Sequence, residues 1–92
     1  MTMTVWKFPL RLTEIQEIEL SSGARIIKVD VQHGVICLWA WCNPHPEATK
    51  VKRRILIVGT GHDAPTYSEA DYLGSVLTSG GDFVWHVFEW RS

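Results

Sequence analysis

The sequence predicts an all-β fold: a small antiparallel β-sandwich or partly open barrel of about seven strands, with little or no helix. Three observations carry this. Short runs rich in Val, Ile and Trp recur along the chain, some alternating with polar residues and some apolar throughout. Turn chemistry separates them at Ser21–Ala24, His33–Gly34 and Ser79–Asp82. No stretch sustains the helical hydrophobic period over several turns. A chain of 92 residues makes one domain, 1–92.

Val5-Trp6-Lys7-Phe8 reads as a strand ended by Pro9, a residue suited to a strand end or edge. Gln16 to Leu20 follows, alternating, although Ile15 and Ile18 also fit a helical spacing. Arg25 to Gln32 alternates cleanly, with Ile27, Val29 and Val31 expected on one face and Ile26, Lys28, Asp30 and Gln32 on the other. His33-Gly34 is a two-residue hairpin turn, because glycine takes positive φ without strain and histidine tolerates it better than a β-branched residue. Val35 to Cys42 is apolar on both faces, as expected of a central strand or an interface strand.

Asn43 to Thr49 carries two prolines and is a loop. Val51 to Val58 is the next strand, with Arg54, Leu56 and Val58 on one face and Arg53, Ile55 and Ile57 on the other. Gly59 to Asp71 is irregular, and Ser68 is placed to cap one helical turn within it. Tyr72 to Thr78 is a strand in which Gly74 marks a bulge. Phe83 to Trp90 closes the fold.

Composition narrows the function. A domain this short buries only about 60–65% of its unfolded surface. Yet 46% of its residues are hydrophobic and five are Trp, more aromatic bulk than a small core uses. Self-association or a partner surface is therefore expected. The net charge of -1 argues against non-specific nucleic-acid binding, which depends on many Lys and Arg releasing counterions. Charge is unevenly spread. Glu14, Glu17 and Glu19 form one acidic group and Lys50, Lys52, Arg53 and Arg54 a basic one, consistent with two neighbouring strands or two solvated edges.

Cys37 and Cys42 fall on opposite faces of one strand, so they neither pair nor make a zinc site. A reducing, cytoplasmic setting is expected. Met1 to Leu12 has no secretory apolar core, and no apolar run is long enough to span a membrane.

The stretch most suggestive of a site is Gly59-Thr60-Gly61-His62-Asp63, after the basic strand that carries Arg53 and Arg54. Its spacing matches neither a P-loop nor a dinucleotide fingerprint. Two glycines first explain a sharp exit from a buried strand through positive φ. The functional reading is a backbone cradle for an anion, with Thr60 and His62 as donors. Trp39 and Trp41 share a face, as do Phe88 and Trp90, and such aromatics could stack a base, although core or subunit packing explains them as well. His62, Asp63 and His86 would hold a metal only if the fold joined them, and His86 reads as a satisfied strand histidine. Nothing places a nucleophile beside a base.

Five segments together resemble a family of small phage and prophage proteins defined by a domain of unknown function. They are Val5-Trp6-Lys7-Phe8, Gly23 to Val29, Gly34 to Ala40, Val58-Gly59-Thr60-Gly61-His62, and Gly80 to Glu89. The resemblance implies an accessory protein that acts by stoichiometric binding and offers no catalytic residues. The expectation is a non-enzymatic homo-oligomer without cofactor or metal. It would hold a small anionic, nucleotide-derived ligand such as an immune signal at Arg53, Arg54, Gly59, Thr60, Gly61, His62 and Asp63, with Trp39 and Trp41 near. The alternative is an inhibitor that docks on a host defence or metabolic enzyme.

Overall fold

The structure, a computed structural model, describes residues 2–91. It has seven strands: β1 (Thr4–Pro9), β2 (Ile15–Ser21), β3 (Arg25–Gln32), β4 (Val35–Cys42), β5 (Lys50–Gly59), β6 (Ala70–Thr78) and β7 (Phe83–Trp90). They form a three-stranded sheet in the order β1-β4-β3 and a four-stranded sheet in the order β2-β5-β7-β6. Every hydrogen-bonded pair is antiparallel. The two sheets face each other as a sandwich and do not close into a barrel. The described helical content is one 3₁₀ turn, Ser79–Gly81. No described helix is long and apolar enough to cross a membrane.

The strand alternation decides what lies between the sheets. Leu38 and Ala40 of β4, Leu20 of β2, Ile55 of β5 and Val87 of β7 are almost wholly buried. The apolar character of β4 on both faces has two causes. One face looks into the core. The other lies under polar side chains: Lys7 of β1 donates to Gln32 of β3 at 2.6 Å, spanning β4 above Cys37, and the Lys28 ammonium sits 5.5 Å from the Trp39 ring centroid.

One strand departs from its expected facing. The β3–β4 register shifts between Ile26 and Lys28, so a bulge inserts Ile27 as an extra residue. Ile26 therefore joins Val29 and Val31 against the core, and Ile27 is left 50% exposed. Strict alternation had paired Ile27 with Val29 and Val31. The His33–Gly34 turn is as expected, with φ of 52° and 77°, and the Tyr72–Gly74 shift in β6 is the bulge that Gly74 signalled.

The acidic and basic groups are strand neighbours. Glu17 lies opposite Arg54 and Glu19 opposite Lys52 in the β2–β5 ladder. On the inner face of the same sheet, Arg53 pairs with Glu89 of β7.

The connection that matters most for a site is β5 to β6. Both strands are antiparallel to β7, which lies between them. They are therefore parallel to each other, and the chain must cross the sheet to join them. The inner face is occupied by the other sheet, so residues 60–69 cross on the outer face. Such crossovers are commonly helical. Here Gly61 at φ 89°, Pro65 and a short turn at 67–69 leave irregular chain, with space between it and the strands below.

A candidate ligand groove beneath the crossover

That space is a groove of about 820 Å³ lined by residues 64–67 of the crossover and by Ala70, Asp71, Tyr72, His86, Phe88 and Arg91. Strand parity explains the lining. His86 and Phe88 are the outward residues of β7, and Tyr72 lies directly opposite Phe88 on β6. The Tyr72 and Phe88 rings meet edge to face, with centroids 5.2 Å apart. Ala70 supplies a small buried floor residue. Pro65 and Ala64 cover it from above.

The roof is tethered at both ends. At its start, the Thr60 amide donates to the Val84 carbonyl at 3.3 Å. Thr60 Oγ1 lies 2.8 Å from His86 Nε2. At its end, the Arg91 amide donates to the Glu69 carbonyl at 2.8 Å, and Arg91 Nη1 donates to the Tyr67 carbonyl at 2.8 Å. The last turn is closed by Thr66, whose amide and hydroxyl both donate to Glu69 Oε1 at 2.9 Å. Those bonds hold the Glu69 carboxyl below its usual range, the amide contributing most. The capping residue is thus Thr66, one turn before Glu69, and not Ser68 as the sequence suggested.

His86 is the polar centre of the groove. Its Nδ1 lies 3.2 Å from the Tyr72 hydroxyl and its Nε2 faces Thr60, so both ring nitrogens are engaged, as read for a satisfied strand histidine. The order hydroxyl, imidazole, hydroxyl superficially matches a nucleophile, base and orienting group. A neutral phenol, however, offers no charge to stabilise an imidazolium, which is the work a carboxylate does in a nucleophilic triad. The arrangement suits recognition better than acyl transfer.

The formal charges bordering the groove are neutralised locally. Arg91 donates through Nε to Asp71 Oδ1 at 2.8 Å, and its Nη2 lies 2.6 Å from the same oxygen.

The family model described as "Domain of unknown function (DUF7352)" matches residues 1–92. The chain belongs to this family. No curated protein and no solved structure matches it.

In this DUF7352 domain the residues singled out in the sequence do not converge. Trp39 and Trp41 lie on the outer face of the three-stranded sheet, away from the crossover; Trp39 is under Lys28 and Trp41 is 47% exposed. Arg53 points inward to Glu89 and to the Ala24 carbonyl. Arg54 points outward, 5.5 Å from the Trp90 ring. Six residue steps along the strand take the chain from Arg54 to Thr60, roughly 20 Å. An anion cradle built from these arginines and the glycine loop is therefore not assembled within one copy.

The glycine loop itself divides. Thr60 does not line the candidate groove but bonds to His86, which does. Gly59, His62 and Asp63 line a separate groove of about 490 Å³ with Leu12, Glu14 and Trp85. Gly61 has the positive φ expected of the strand exit. Gly59 does not; a Cβ there would stand 3.3 Å from Trp85 Cζ3, a tight contact that the indole would have to give way to relieve. His62 and Asp63 do not meet His86 in a cluster; among the described residues no three His, Cys, Asp or Glu side chains converge.

Sequence reasoning weighed Phe88 as a stacking aromatic but missed Tyr72 and Arg91 in the DUF7352 groove. A signal was available. A long irregular connection between two strands, too long for a hairpin and without helical pattern, marks a crossover able to roof a site.

Proposed function

We propose that this domain is a non-catalytic binding module that holds a small planar heteroaromatic compound, of the kind that includes nucleobases and nucleosides, beneath its β5–β6 crossover. The observation that carries this reading is the roofed groove, with aromatic walls at Tyr72 and Phe88 and one hydrogen-bonding centre at His86. Ligand sites are concave, mainly apolar and furnished with few polar groups, which describes this groove.

The anionic part of the expected ligand is set aside. Arg91 is neutralised by Asp71, Arg53 by Glu89, and Glu69 adds a carboxylate to the roof. A phosphate would meet no uncommitted cation at the groove. In the phage setting that the sequence motifs suggest, such a module acts by stoichiometric capture, and a homo-oligomer would multiply the sites.

Calorimetric titration with a panel of purine and pyrimidine compounds, followed by thermal melting, tests the reading. A ligand at about 100 times its dissociation constant adds roughly 2.7 kcal/mol to stability. Heat and a raised melting temperature, both lost on Phe88→Ala, are expected. Silence across the panel removes the proposal.

A second reading follows from Leu77 and Phe83, 59% and 54% exposed at the β6–β7 hairpin. They would suit docking on a protein, including a host enzyme. Substituting both with Lys would abolish capture of that protein and leave small-molecule binding intact.

A further inference from the structure

We infer that His86 acts as a tautomeric adaptor, allowing Tyr72 to present either a donor or an acceptor to an uncharged ring in the groove. This rests on the reading of the groove as the binding site and specifies how that site chooses its ligands.

The argument is a count of hydrogens. Thr60 and Tyr72 each carry one hydroxyl hydrogen, and a neutral imidazole carries one N–H. The chain Thr60–His86–Tyr72 contains two hydrogen bonds. One hydrogen is therefore left over, at one end. If Nε2 carries the proton, it donates to Thr60 Oγ1 and Tyr72 donates to Nδ1. The Tyr72 oxygen then faces the groove as an acceptor, and the spare hydrogen is on Thr60. If Nδ1 carries the proton, it donates to Tyr72 and Thr60 donates to Nε2. The Tyr72 hydroxyl hydrogen is then free for the groove.

The two arrangements use the same atoms and the same two bonds. Exchanging them requires two hydroxyl rotations and a shift of the imidazole proton, with no backbone movement. Thr60 sits on the open side of the sheet, where solvent can complete whichever role it is left with. A ligand edge that accepts selects the Nδ1–H form, and one that donates selects the Nε2–H form. The groove thus has no fixed polarity at Tyr72. Its preference falls on shape and charge: planar rings against Phe88 and Tyr72, without phosphate, because the Arg91 guanidinium is already held by Asp71.

The test uses the whole chain and four probes: caffeine, indole, adenosine and AMP. Caffeine offers ring-edge acceptors and no N–H donor, indole offers a donor and no comparable acceptor, and AMP adds a phosphate to a purine. Calorimetry and ¹⁵N spectra of the His86 ring are recorded with each. The expected result is binding of caffeine and indole within about tenfold of each other, with the ring proton on Nδ1 in the caffeine complex and on Nε2 in the indole complex. Tyr72→Phe weakens both at least fivefold while its melting transition stays cooperative. AMP binds at least tenfold more weakly than adenosine.

The same tautomer in both complexes overturns the inference, as does AMP binding more tightly than adenosine; either result leaves the groove standing as a binding site. If none of the ring compounds binds, the inference fails together with the functional reading beneath it.

Discussion

Arg53 and Glu89 form a two-pronged ion pair on the inner face of the four-stranded sheet, Nε to Oε2 at 2.5 Å and Nη2 to Oε1 at 2.8 Å. The third arm of the guanidinium donates to the Ala24 carbonyl at 2.6 Å, so one side chain joins β5, β7 and the β2–β3 turn. The Glu89 carboxylate raises the Arg53 pKa further, against the opposing effect of burial. Arginine is charged throughout the ordinary pH range, and the pairing reinforces that here.

Removing one member of this pair leaves the other partly buried and uncompensated. Breaking a fully buried pair costs about 3–5 kcal/mol. With side chains still 20% and 15% exposed, Arg53→Met or Glu89→Leu is expected to cost about 2–3 kcal/mol in urea unfolding. The double substitution should recover at least half, because no charge is then stranded.

Gly59 and Gly61 should respond differently to alanine. At Gly59 the added methyl presses on Trp85 Cζ3 at 3.3 Å, and the indole is anchored through Nε1 to Thr78 Oγ1 at 2.9 Å. The expected loss is about 1–2 kcal/mol, with a shifted tryptophan emission. At Gly61 nothing lies within 4 Å of the new Cβ, but φ is +89°. There the cost is backbone strain, about 1 kcal/mol, and the emission stays unchanged.

The Thr66–Glu69 closure should be sensitive to acid. The Glu69 pKa is lowered in the fold by the Thr66 amide and then by its hydroxyl. Its contribution is therefore complete above the ordinary glutamate value of about 4.3 and is lost as pH falls through the lowered one. The Thr66 amide proton should move upfield along that titration, with a midpoint below the ordinary value. Glu69→Ala should give the acid position already at neutral pH and weaken ring binding in the groove.

Cys42 should behave as a packing residue. Burial raises its thiol pKa, outweighing the Ser21 hydrogen bond and the Arg53 charge. A raised thiol pKa adds stability below the unfolded value of about 8.5, which is lost as pH rises through the folded one. The folded protein should resist thiol labelling at neutral pH. Both Cys37 and Cys42, free and buried, should react promptly in denaturant.

The fold was legible because its signals are local. Alternation placed Leu56 and Val58 opposite to Ile55 and Ile57, and His33-Gly34 carried its own turn geometry. The facing of Ile26 was not legible. A one-residue bulge changes every assignment on one side of it, and nothing in Arg25 to Gln32 announces one. The site was partly legible. Thr60 was named and touches the groove only through His86, whereas Tyr72 and Phe88 became partners only through the β6–β7 register. Arg53 illustrates the opposite error. In sequence it resembles a free cation beside a glycine loop, but strand parity turns it inward to a carboxylate 36 residues away.

The placement of β7 between two parallel strands that precede it has a consequence for assembly. Until β7 inserts, β5 and β6 would stand about 9–10 Å apart, each with an unpaired edge facing the gap. A second molecule can supply the missing strand. If residues 60–69 act as a hinge, the β6–β7 hairpin of each molecule can swing out of its own sheet and pair through β7 with the β5 edge of the other. Refolding at high concentration should therefore yield domain-swapped dimers separable by size, and refolding at low concentration monomers. Shortening the crossover, so that it no longer spans β7, should favour the exchanged form even when dilute.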